Sequence, residues 1–141
     1  MNEQKTFCNG SIHLFCGDSL ELYDKWETPT VIISDGPYGV NGFPGDLVTP
    51  DGLDKWYEPH IKKWSELATP LTTLWFWNTE VGWATVHPIL EKYGWTHVSC
   101  CVRDKGMSQT LTRKPFGIYL LLQKCAFSMS KSLFSKSVKQ K

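Results

Sequence analysis

Between residues 11 and 102, short runs of β-branched and aromatic residues alternate with amphipathic stretches, which restricts the chain to few architectures. Residues 11–15 alternate polar and apolar side chains and read as a strand. Gly17-Asp18-Ser19 is a turn with helix-capping residues, followed by an amphipathic stretch from Leu20 to about Trp26. Pro29 precedes a strand at 30–34, and residues 41–53, rich in Gly, Pro and Asp, read as a loop. Asp54 is placed to cap a helix reaching about Leu67, with Trp56, Ile61, Trp64 and Leu67 on or near one face. A strand at 71–77 leads to Thr79, which caps a helix through Trp83, Val86 and Leu90 to Tyr93, where Gly94 stops it. Residues 95–102 form a further strand by their β-branched and aromatic content. This order predicts an α/β domain on a parallel sheet covered on both faces.

One strand end stands out. Val31-Ile32-Ile33-Ser34 runs directly into Asp35-Gly36-Pro37-Tyr38-Gly39-Val40, so a β-branched run delivers an acid, a tight corner and an aromatic ring to one point. Ligands of open α/β sheets bind outside the carboxyl ends of strands, which places Asp35 and Tyr38 in the crevice. An acceptor and a flat ring on one loop suit a planar, amino-bearing group. The plain alternative is an ordinary turn, since Asp, Gly and Pro are standard turn residues.

Charge divides the chain. Residues 1–102 carry 13 acidic and 6 basic side chains, whereas 103–141 carry 1 and 9. Such a break suits either a tail facing nucleic acid or a change of composition. The five cysteines are odd in number and lack C-x-x-C spacing, Met1 is followed by polar residues, and the run 118–122 is too short to span a bilayer. A reducing cytoplasm, thiols acting as small buried hydrophobes and no membrane association are therefore expected. His13, His60, His87 and His97 lack metal-ligand spacing, so no metal is assigned.

Taken in order, these segments resemble the DNA amino-methyltransferases that modify adenine N6 or cytosine N4. Asp35-Gly36-Pro37-Tyr38 is similar to that family's Asp/Asn/Ser-Pro-Pro-Tyr/Phe signature, with glycine in place of the first proline. Upstream, Gly17-Asp18-Ser19-Leu20-Glu21-Leu22 resembles its Gly-Asp-x-Leu-Glu-x-Leu segment. Downstream, Leu74-Trp75-Phe76-Trp77-Asn78 resembles its next strand, and Arg103-Asp104-Lys105 stands where Trp-x-Lys is common. The likeness spans about residues 10–106. It implies a Rossmann-like S-adenosylmethionine-dependent methyltransferase fold, with double-stranded DNA carrying a flipped target base as partner. It implies that Asp35 and a neighbouring loop carbonyl accept the two N–H groups of the exocyclic amine, and that Tyr38 offers a face for the base. Asp35, Gly36, Pro37 and Tyr38 are then the catalytic corner, and Asp18 and Asp35 the residues toward the cofactor. An N-cap alone would also explain Asp18. Asp rather than Ser at position 35 leans toward adenine. Trp75, Phe76 and Trp77 read as core and pocket wall rather than a base platform.

Two parts of the family pattern are missing from the sequence. The glycine-rich Asp-Pro-Phe-x-Gly-x-Gly loop for S-adenosylmethionine is not matched by Lys114-Pro115-Phe116-Gly117, and no target-recognition region follows. The fold is accordingly expected to be incomplete, with residues 1–106 a partial catalytic domain and 107–141 a basic tail, disordered or translated out of frame. Three functions stay open at this level: a methyltransferase, as in a restriction-modification system; an inactive remnant binding nucleic acid weakly; and an unrelated α/β binding module.

Overall fold

The computed structural model describes residues 3–104 and 116–124. Strands β1 (Glu3–Phe7) and β2 (Ile12–Cys16) form an antiparallel hairpin. They are followed by the one-turn helix α1 (Ser19–Leu22), β3 (Val31–Ser34), α2 (Leu53–Leu67), β4 (Thr73–Asn78), α3 (Glu80–Lys92), β5 (Trp95–Asp104) and β6 (Phe116–Lys124). The main sheet has the order β3-β4-β6-β5. β3 and β4 are parallel, with Ile32 opposite Leu74, while β6 runs antiparallel to both β4 and β5. This is an α/β arrangement consistent with an incomplete Rossmann-like fold.

The helices pack where periodicity demands. Leu53, Tyr57, His60, Ile61 and Trp64 recur at helical spacing on α2 and are all buried. They meet Ile32, Leu74, Phe76 and Leu122 of the sheet, together with Val86 and Leu90 of α3. Each such side chain contributes about 1.5–3 kcal/mol on burial, so this layer helps to hold the strand ends in place. Trp56, expected on that face, is exposed, and Tyr57 takes the inward position. α2 begins at Leu53 after Gly52 rather than at an Asp54 cap, and Asp54 lies in the first turn, where a carboxylate favours the helix dipole. Thr79 caps α3 as expected, accepting the Gly82 N–H at 3.0 Å.

Further expectations are corrected. The sheet is mixed rather than parallel, because β6 enters between β4 and β5. Residues 116–124, assigned to the unstructured tail, are that strand; an apolar run without alternation suits a strand flanked on both sides. Residues 105–115 and 125–141 lie outside the described residues. The strand near 11–15 pairs with β1 instead of joining the main sheet, since the Cys8–Gly10 turn brings its partner close at little entropic cost. On β3, Ile32 and Ser34 are buried while Val31 and Ile33 are exposed, so one face of this strand carries no helix among the described residues. Cys8, Cys16, Cys100 and Cys101 are likewise exposed, because they sit on the hairpin and on the edge strand β5 rather than under α2 and α3.

Candidate active site

β3 ends at Ser34, which is buried, and the next residue, Asp35, is exposed. The chain then turns inward, burying Pro37. The Pro37 carbonyl accepts two hydrogen bonds, one from the Tyr57 hydroxyl of α2 and one from the Asn78 Nδ2 at the end of β4, each 3.1 Å long. Two elements that are distant in sequence thus clamp one peptide of the corner.

Asn78 is itself fully engaged. Its Oδ1 accepts the Thr79 N–H at 2.8 Å, and only 2% of the residue is exposed. Gly82, on the first turn of α3, makes room for it, because a Cβ there would lie 1.9 Å from Asn78 Oδ1. Burial raises the Tyr57 pKa well above the ordinary phenol value, and the negative charges of Asp35 and Asp46 push it the same way against hydrogen bonds from Ser34 and Asn78. The hydroxyl therefore keeps its proton and acts as a donor.

On the exposed side of the corner, the Tyr38 hydroxyl donates to Asp35 Oδ1. This fixes the carboxylate beside the aromatic ring and leaves Oδ2 for another donor. The Tyr38 ring meets Phe43 edge to face, with centroids 6.5 Å apart.

A second carboxylate organises the loop beyond. Asp46 Oδ1 accepts the N–H groups of Tyr38 (2.9 Å) and Gly39 (2.8 Å), while Oδ2 accepts those of Val40 (3.1 Å) and Gly42 (3.0 Å). Burial alone would raise the Asp46 pKa, but these four donors outweigh it and hold the carboxyl below its ordinary value. Gly39 is required here twice over: its φ is +69°, and a Cβ would stand 2.6 Å from Pro50 Cα.

The structure therefore brings Asp35, Gly36, Pro37 and Tyr38 to one strand end. Asp18 is placed differently. It caps α1, accepting the Leu20 N–H at 2.9 Å, and its charge acts on Tyr23 and His60. Phe76 and Trp77 are buried, as core residues should be, and His60 is a core histidine whose Nδ1 lies 2.9 Å from the Tyr23 hydroxyl. Sequence reasoning missed Asp46, Tyr57 and Asn78 as supports of the corner. Only Asn78 had a sequence signal, its position at the end of the strand resembling the family's.

No protein-family model matches the chain, and no curated protein matches it by sequence. Solved structures do match its fold. M1.HpyAVI in complex with SAM is 14% identical with a TM-score of 0.51, over 74% of this chain and 48% of that one. M1.HpyAVI alone is 16% identical with a TM-score of 0.50, over 76% and 51%. TTHA0409 of Thermus thermophilus, described as a putative DNA modification methylase and complexed with S-adenosyl-L-methionine, is 12% identical with a TM-score of 0.56, over 84% and 57%. The chain spans about half the length of these structures. No helix among the described residues is long and apolar enough to cross a membrane.

Proposed function

We propose that this chain carries the catalytic part of an S-adenosylmethionine-dependent DNA methyltransferase acting on the exocyclic amine of adenine (N6) or cytosine (N4). The observation that carries the reading is the corner after β3, where an exposed carboxylate and an aromatic ring are joined by a hydrogen bond over a doubly clamped peptide. The likeness of the fold to structures complexed with S-adenosylmethionine supports it.

An exocyclic amine is a poor nucleophile because its lone pair is delocalised into the ring. In this reading, Asp35 Oδ2 and the Gly36 carbonyl accept its two N–H groups and draw the nitrogen toward a tetrahedral shape. Acceptors already fixed in place cost no reorganisation during reaction, and near-attack positioning lowers the barrier further. The base leaves the duplex to reach this point and stacks on Tyr38. The donor supplies an electrophilic methyl carbon, so the chemistry calls for no cysteine nucleophile.

Asp18 Oδ1 accepts the Leu20 N–H, and Asp46 fills the nest of backbone donors beyond the corner. The target base in double-stranded DNA, a role for Asp18 near the cofactor, a place in a restriction-modification system and a cytoplasmic location all belong to the same proposal.

Calorimetric titration with S-adenosylmethionine, followed by transfer of labelled methyl groups to mixed-sequence duplex DNA, tests it. Saturable binding and labelled adenine or cytosine are expected, with transfer reduced by about a hundredfold or more in Asp35→Asn. Absence of binding at millimolar donor would leave the remnant reading in its place.

A further inference from the structure

Gly36 is the position at which the corner departs from the family signature, and its occupant has a steric cause. Its φ lies outside the left-handed region, unlike that of Gly39, so the backbone there is open to any residue. What excludes a side chain is Tyr57. A Cβ on Gly36 would stand 2.6 Å from the Tyr57 hydroxyl oxygen and 3.2 Å from Cζ of the same ring. Oxygen and ring are both held, because Tyr57 is fully buried and packs edge to face on Phe76 with centroids 5.0 Å apart.

We propose that Gly36 and Tyr57 are a matched pair and that Tyr57 is a positioning residue for the base-amine site. The phenol hydroxyl takes the space that a side chain at position 36 would fill and holds the corner through the Pro37 carbonyl. A proline at position 36 would stiffen the corner covalently by fixing φ of that residue. Here the corner is stiffened instead at the next carbonyl, that of Pro37, by a tertiary hydrogen bond from Tyr57, backed by the Asn78 amide 3.5 Å from the same hydroxyl. The Pro37 carbonyl is committed inward, and in the methyltransferase reading the Gly36 carbonyl serves as the acceptor beside Asp35. The positioning role rests on the methyltransferase reading of the corner; the steric pairing does not.

The test is a cycle of Gly36→Ala, Tyr57→Phe and the double variant in the whole chain, read by urea unfolding and by amide exchange at Tyr38 and Gly39. A titration with 2′-deoxyadenosine and 2′-deoxycytidine, followed at the Tyr38 resonances, supplies the functional arm. Gly36→Ala alone should raise the unfolded fraction about tenfold or more, and Tyr57→Phe should recover most of that loss by removing the nearest atom. Tyr57→Phe alone should speed exchange at Tyr38 and weaken nucleoside binding several-fold. Additive effects in the cycle would overturn the pairing. If Gly36→Ala does not fold, a folded double variant supports the pair and an unfolded one overturns it. Nucleoside binding unchanged in Tyr57→Phe would overturn the positioning role alone. A wild-type chain that binds neither nucleoside would remove the base-amine reading, and the positioning role with it, while a non-additive cycle would still stand for the pair.

Discussion

Asn78, the last residue of β4, places its amide nitrogen 3.1 Å from the carbonyl of Pro37, so the end of one strand holds the turn that follows its parallel neighbour. The bond links residues 41 apart in sequence. Asn78→Ala removes that donor and the acceptor for the Thr79 N–H together. A loss of about 1–3 kcal/mol is expected in urea denaturation, the cost of stranding buried polar groups; a change below about 0.5 kcal/mol would show that the clamp carries no weight.

Gly82→Ala sets helix propensity against packing. Alanine favours a helix by roughly 0.8–1 kcal/mol over glycine, but the added carbon would fall 1.9 Å from Asn78 Oδ1. Net destabilisation of about 1–3 kcal/mol is expected from the displaced amide. A rise in melting temperature would contradict the crowding seen around Asn78.

Asp46 ties its loop through charge. The folded carboxyl sits below its ordinary value of 3.8, so the unfolded chain takes up the proton first as pH falls. Its contribution is therefore complete above pH 3.8 and is lost as pH drops through the lower, folded value. Asp46→Ala should speed exchange at the Tyr38, Gly39, Val40 and Gly42 amides about tenfold or more at neutral pH. Unchanged protection at those four amides would dismiss the anchor.

His60 predicts a second pH effect. Burial holds its pKa below the ordinary 6.5, against a smaller opposite pull from Asp18. Below pH 6.5 the unfolded chain binds a proton that the folded one resists, so stability falls on acidification through that value and is fully kept above it. Urea unfolding at about pH 7.5 and about pH 5.5 should show the difference, and His60→Gln should shrink it. An equal drop in both proteins would place its origin elsewhere.

Tyr38 separates hydroxyl from ring. Under the proposed function, Tyr38→Phe keeps the stacking face but loses the bond to Asp35, whereas Tyr38→Ala also forfeits about 1–3 kcal/mol of stacking. Methyl transfer should fall in the order wild type, Phe, Ala. Equal activity in the wild-type and Ala proteins would take Tyr38 out of the site.

Much of this was legible along the chain. The strand ending at Ser34, the cap at Thr79 and the stop at Gly94 follow from local preference, because each depends on neighbours within one turn. The acid and ring of the corner were readable for the same reason, being three residues apart. β6 was not, because an apolar run between basic residues becomes a strand only when β4 and β5 are there to pair with it. Nor was the inward turn of Tyr57 in place of Trp56, since two adjacent aromatics differ by one step on the helix and packing against Phe76 decides between them.

The sequence by itself determined an α/β chain with Asp35 and Tyr38 at a strand end, since alternation and turn chemistry act over a few residues. Tertiary structure decided how that end is held. Asp46 gathers four amides across the loop, while Tyr57 and Asn78 reach one carbonyl from 20 and 41 residues away. Contacts over such separations leave no period in the sequence, because the folded backbone alone brings those atoms together.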